Sequence, residues 1–125
     1  MLPFRAELKT GLPVSEQLIY SVKKAVISGH MQPGDGFPSV RVLSQELRIN
    51  PNTAHKVIAA LINQGLLEVK PGIGTVVGKI PKATPQQRSE LLGDDVERLV
   101  VEAKKLRLEA GDIVRAVEQH WNKLS

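Results

Sequence analysis

Cysteine is absent from the 125-residue chain. That absence excludes a disulfide scaffold and any zinc site of the finger type. Aromatic residues are scarce, with two Phe, one Tyr and one Trp, so a core must be built from Leu, Ile, Val and Ala. The opening MLPFRAELKTG lacks the long apolar stretch of a secretory signal, and no apolar run is long enough to span a bilayer. The expectation is a soluble, cytoplasmic protein with no membrane partner. Catalytic constellations are equally thin. His30, His55 and His120 fall in separate elements without ligand spacing, which predicts no metal and no cofactor. Asp94 and Asp95 are neighbours in a helical stretch, point to different faces, and do not form a working pair. No serine lies in a nucleophile-elbow motif. No residue is assigned a catalytic role, and an enzyme is not expected.

What is present is a globular composition, 42% hydrophobic, with a formal charge of +4. The charge is unevenly placed. Residues 1–80 hold 9 Lys/Arg against 5 Asp/Glu, and residues 81–125 hold 8 against 8. A basic N-terminal part attracts a polyanion by neutralising phosphates and releasing counterions. Ordinary surface variation gives the same excess, so charge supports nucleic-acid binding without establishing it.

Periodicity divides the chain. Leu18, Val22, Ala25 and Val26 share one face of a helix predicted over Val14–Ser28, with Pro13 before it and Gly29 after it. The stretch HMQPGDGFPS is dense in Gly and Pro and reads as a turn-rich connector. Ser39 caps a short helix with Val40, Leu43 and Leu47 at helical spacing. Asn50-Pro51 reads as a cap followed by proline at the first position of a helix over Pro51–Gln64. Its apolar stripe is Ala54, Val57, Ile58, Leu61 and Ile62. After Gly65, Leu66–Lys70 and Thr75–Val77 form two short strands around a tight turn. Three helices and a hairpin in this order make a winged helix-turn-helix over residues 1–80.

Gly78–Ala83 reads as a linker, and residues 81–125 form a second, two-helix domain. Thr84-Pro85-Gln86-Gln87 has the form of a capping box. Leu92, Val96, Leu99, Ala103 and Leu106 then step by 4, 3, 4 and 3, a heptad-like seam on one long helix. Leu106-Arg107-Leu108 breaks the register before a helix carrying Ala110, Ile113, Val117, Trp121 and Leu124 on one side. These faces are wider than the two helices satisfy between themselves, which predicts a homodimer. Its candidate contacts are Leu92, Val96, Leu99, Ala103, Leu106, Ile113, Val117 and Trp121. The fold class is mainly α with a small β-hairpin, a winged helix-turn-helix followed by a two-helix dimerisation segment.

In a helix-turn-helix the second helix lies in the major groove of double-stranded DNA, with residues near its start at base edges. Here the face opposite the apolar stripe carries Asn52, His55, Lys56, Ala59 and Asn63. Asn52 suits adenine or phosphate, Lys56 and His55 suit guanine acceptors, and Ala59 keeps the surface small. Ser39 and Thr53 stand at helix starts, where hydroxyls and free N–H groups suit phosphate, and Arg41 lies in the first turn of the preceding helix. Lys70, Gly72 and Gly74 belong to the wing, where glycine permits a tight turn and close backbone approach. Plainer roles exist for each: a solvated face, a cap, an ordinary hairpin.

Five segments in register resemble the GntR family of bacterial transcription regulators. They are Ser28 to Asp35, Pro38-Ser39-Val40-Arg41, Asn50-Pro51-Asn52-Thr53, Gly65-Leu66-Leu67 and Gly72-Ile73-Gly74-Thr75. The resemblance covers about residues 10–78 and implies DNA contacts by Arg41, by the Asn50–Thr53 helix start and by the wing glycines Gly72 and Gly74. Three positions depart from the family pattern: Ala54-His55, where a bulky aliphatic and often an arginine follow; Pro71, where a basic residue is frequent; and Gly36-Phe37, where a charged residue and leucine are usual. The first two bear on base preference and the third on packing. The short tail is similar to that of the YtrA-type branch. That implies a homodimeric regulator, often of its own or a transporter operon, and leaves little volume for a small-molecule effector except between protomers. The expected function is a repressor reading an inverted repeat. A winged-helix interaction module that does not touch DNA is the alternative.

Overall fold

A computed structural model describes residues 2–124. The chain divides into two compact units, one ending at Pro81 and the other beginning at Lys82. In the first, α1 (Val14–Ile27), α2 (Val40–Leu47) and α3 (Pro51–Asn63) precede an antiparallel hairpin of β1 (Leu67–Lys70) and β2 (Gly74–Val77). In the second, α4 (Pro85–Glu90) runs through a π-helical turn, Leu91–Asp95, into α5 (Val96–Lys105), and α6 (Ala110–Lys123) follows. No helix among the described residues is long and apolar enough to cross a membrane.

The core of the first unit is aliphatic. Leu18 and Val22 of α1, Leu43 of α2 and Ala54, Val57 and Leu61 of α3 are fully buried, with Leu67 and Val77 of the hairpin closing the underside. Removing each of these larger side chains from water stabilises the fold by about 1.5–3 kcal/mol. Helix α3 packs against α1, α2 and β1, so it is held from three directions. Ile62, expected on its buried stripe, instead lies on the exposed side, because the helix rotation that seats Leu61 turns the next residue outward.

The connector after α1 is more ordered than its Gly and Pro content predicts. Gly36 forms a bridge with Val76, and the N–H groups of Gly34 and Phe37 donate to the carbonyls of Val77 and Thr75 at 2.8 and 2.9 Å. The Val77 N–H returns a bond to Asp35 O at 2.8 Å. The connector thus pairs with the free edge of β2 and braces the wing against the helices. Met31 and Phe37 from this stretch are buried in the core.

Phe37 has a partner the sequence does not announce. Phe4, in the N-terminal segment before α1, stacks on it with ring centroids 5.9 Å apart and planes within 5° of parallel. Gln17 of α1 ties that segment down: its Oε1 accepts from the Lys9 N–H at 2.7 Å, and its Nε2 donates to the carbonyls of Lys9 and Leu12. Half of the protein's four aromatic side chains are therefore spent on one contact. The unusual phenylalanine at position 37 is explained by the ring it meets.

Gly65 ends α3 with φ +76, and a Cβ there would lie 2.5 Å from Cγ of Pro81. Only glycine fits both demands.

The Phe pair should be energetically coupled. Phe4→Ala and Phe37→Ala should each cost about 3–5 kcal/mol, and the double mutant less than their sum by about 0.5–1.5 kcal/mol. Urea unfolding of the three variants measures this; strict additivity would show that the rings do not stabilise each other.

Candidate nucleic-acid interface

Two helix starts lie on the same motif, and each is capped by the residue expected. The Val42 N–H donates to Ser39 Oγ at 3.2 Å, and the Asn52 N–H donates to Asn50 Oδ1 at 2.8 Å. Both caps occupy an acceptor and leave a donor: the Ser39 hydroxyl proton and the Asn50 side-chain NH2 remain available. Pro51 follows Asn50 at the first helical position. Neither α2 nor α3 has an acidic residue in its first turn, so the positive ends of their dipoles are not offset there.

The polar face of α3 is exposed as expected. Asn52, His55, Lys56, Ala59 and Asn63 are all on the solvent side, while Thr53 is half-buried. Between Glu46 and Glu68 the chain contains no acidic residue, and its charges there are Arg48 and Lys56. Arg41 is exposed on the first turn of α2 and makes no ion pair among the described residues. Its backbone is held by Ser44, a buried polar residue whose hydroxyl donates to the Arg41 carbonyl at 3.0 Å. Ser44 escaped the sequence reading. The signal was a serine three residues after the arginine, the spacing at which a helical hydroxyl reaches back to a carbonyl.

Arg48 was also missed. It ends α2 in the left-handed region, φ 53 and ψ 47, where glycine or asparagine is the usual occupant. It is exposed, two residues before the cap of α3, so the turn of the motif carries a cation.

The wing differs in detail from expectation. Pro71-Gly72 forms its tip, Gly72 has φ +78, and the Ile73 N–H donates to Lys70 O at 3.0 Å. Proline second and a positive-φ glycine third define a type II turn. Gly74 is not at the tip: it is the first residue of β2, paired with Lys70. Lys70 lies 3.8 Å from Glu68, two residues away on the same face of β1. That pair is exposed and contributes little to stability, but it offsets the wing's cation. Ile73, 73% exposed, is the large apolar residue of the tip.

Three helices with capped starts on α2 and α3, a cation beside each start, an acid-free polar face and a braced hairpin define a winged helix-turn-helix protein. The family model "Bacterial regulatory proteins, gntR family" matches residues 14–77, and the chain belongs to the GntR family of transcriptional regulators. It is 31% identical over 96 residues to the HTH-type transcriptional repressor YtrA of Bacillus subtilis, covering 76% of this chain and 74% of that one. This match is longer than the first unit, so it extends into the tail. Among solved structures, a transcriptional regulator from Oenococcus oeni is 26% identical with a TM-score of 0.60, covering 92% of this chain and 96% of that chain. A transcriptional antiterminator from Listeria monocytogenes EGD-e has a TM-score of 0.84 at 22% identity, covering 97% of this chain and 91% of that chain, and shares the fold.

The local bonds make a stability prediction. Asn50→Ala should lose about 1 kcal/mol, whereas Asn50→Asp, which keeps the cap acceptor, should stay near wild type. Thermal or urea unfolding reads the difference. Equal losses in both would show that the side-chain cap is not what holds this helix start.

Proposed function

We propose that the chain is a homodimeric repressor that binds an inverted-repeat operator in double-stranded DNA. The observation that carries this reading is the joint exposure of two helix starts and the acid-free face of α3, with Arg41 beside one start and Lys56 beyond the other. Capped N-termini with spare donors suit phosphate oxygens. The face of Asn52, His55 and Lys56 supplies donors and acceptors for base edges in the major groove. The wing, with Lys70 and the Gly72 backbone at its tip, adds contacts on the flanking backbone.

Two copies related by a two-fold axis would present two α3 helices to successive major grooves, about 34–36 Å apart along the duplex. A near-palindromic operator follows from that symmetry. The dimer contacts fall to the tail, where Leu92, Val96, Leu99, Leu106, Val117 and Trp121 are exposed and Ile113 is half-buried. Ala103, on the same seam, is 6% exposed in the single chain. The similarity to the YtrA repressor supports the repressor role.

Fluorescence anisotropy with DNA from upstream of the protein's own gene, beside a scrambled duplex and across a salt series, tests the reading. Binding to the native fragment should be tighter by roughly 10³-fold or more, with a salt slope of several phosphates. Absence of binding to either duplex at low salt would sink it in favour of an interaction module. In the same assay Arg41→Ala should weaken operator binding by about 1–3 kcal/mol with the fold intact. An unchanged affinity in that folded variant would remove Arg41 from the interface.

A further inference from the structure

Two parts of the proposed DNA face owe their mutual placement to one residue. The Phe37 N–H donates to the Thr75 carbonyl of β2, and two residues later Ser39 caps the start of α2 beside Arg41. Phe37 therefore joins the base of the wing to a helix start offered to phosphate. Beyond that base the hairpin has little to hold it. Val69 and Ile73 are 62% and 73% exposed, whereas Leu67, Val76 and Val77 at its root are buried. The direction of the tip is set at the root.

The segment that covers Phe37, residues 2–12, contains no helix or strand, yet it is attached at two points. At one, Phe4 stacks on Phe37, and Leu2 and Ala6 pack on the same core. At the other, the side-chain amide of Gln17 pairs with both backbone groups of Lys9, as a neighbouring strand would. It accepts from the Lys9 N–H at 2.7 Å and donates to the Lys9 carbonyl at 3.0 Å. The same Nε2 donates to the Leu12 carbonyl at 3.0 Å across the turn at Thr10-Gly11. Leu8 and Leu12 stay exposed, so burial holds the Phe4 end and hydrogen bonds hold the Gln17 end. A chain terminus takes a fixed path only where it is tied down, and the path fixed here ends on the ring of Phe37.

We propose that residues 2–12 act as a clasp that fixes the wing relative to the start of α2, with Phe4 and Gln17 as positioning residues for DNA binding. The inference rests on the DNA-binding reading above and adds to it residues outside the helix-turn-helix. Both act through Phe37: the Phe4 ring is buried against it, and the Gln17 amide is engaged with backbone on its donor and acceptor sides. With the clasp closed, wing and α2 reach the duplex already placed. With it open, binding has to order them, and that ordering cost is subtracted from the affinity.

The decisive variant is Gln17→Ala in the full chain, which opens the clasp without creating a core cavity and so keeps the fold where Phe4→Ala removes packing. Amide hydrogen exchange of the free protein reads the clasp itself. Exchange at Gly34, Phe37 and Val77 should quicken by about tenfold, while amides in the middle of α3 keep their wild-type rates. Uniform quickening that includes α3, or no change anywhere, would overturn the proposal. On the DNA fragment from upstream of the protein's own gene, Gln17→Ala should bind roughly tenfold more weakly. Hydroxyl-radical protection should fade on the flanks assigned to the wing and persist on the stretch facing α3. Unchanged affinity, or equal fading throughout, would overturn the positioning role even with a loosened wing. Wild-type protein that binds no duplex would instead overturn the DNA-binding reading, and the role of the clasp in binding with it. The exchange rates would then still decide whether the segment holds the wing.

Discussion

Four side chains on one stripe of the third helix, Ala54, Val57, Ile58 and Leu61, leave water together, and their burial sets the rotation of that helix. A helix has one orientation that buries such a stripe. With α1, α2 and β1 packed around it, no other roll about the axis is open. The opposite face is then presented to solvent without any further interaction to hold it there. Asn52, His55 and Lys56 are displayed because hydrophobic residues elsewhere on the helix are not. The candidate interface is a by-product of core packing, which is why its members need few bonds to the rest of the protein.

The wing depends on the same core by a different route. A two-stranded hairpin is marginal alone in water, and here it gains a third edge from the connector through the Gly36–Val76 bridge and its neighbouring bonds. Phe37 anchors that connector and Phe4 covers Phe37. The N-terminal segment, α1's Gln17 and the position of the wing tip are therefore linked through one pair of rings. The phenylalanine that departs from the GntR pattern is balanced by a second ring that the family resemblance, beginning at about residue 10, does not reach.

The two units obey different regimes. The first buries a contiguous aliphatic cluster and meets the GntR family model over most of its length. The second has regular helices with capping boxes at Thr84–Gln87 and Glu109–Asp112, so local bonds favour its helicity, but its apolar faces stay in solvent. Helix-forming bonds are local and can be complete in one chain, whereas burial needs a neighbour.

Much of the site was legible in the sequence, because its signals act within a few residues. Ser39, Asn50-Pro51 and the Thr84 box each bond a backbone N–H two or three positions away, and the 3.6-residue period of the α3 stripe marks its polar face directly. Those features determined the helix starts, the helix-turn-helix and the residues it displays. Tertiary structure decided what requires distant parts of the chain to meet. It paired the connector with β2, brought Phe4 to Phe37, turned Ile62 outward and covered Ala103. The π turn at Leu91–Asp95 also lay beyond the periodicity, since its extra residue offsets the side chains before it from those after it and breaks the 4-3-4-3 seam into two phases. The division follows from physics: a cap or a helical period is paid within one or two turns, while a strand edge, a ring stack and a buried methyl depend on chain closure and on which surfaces remain to be filled.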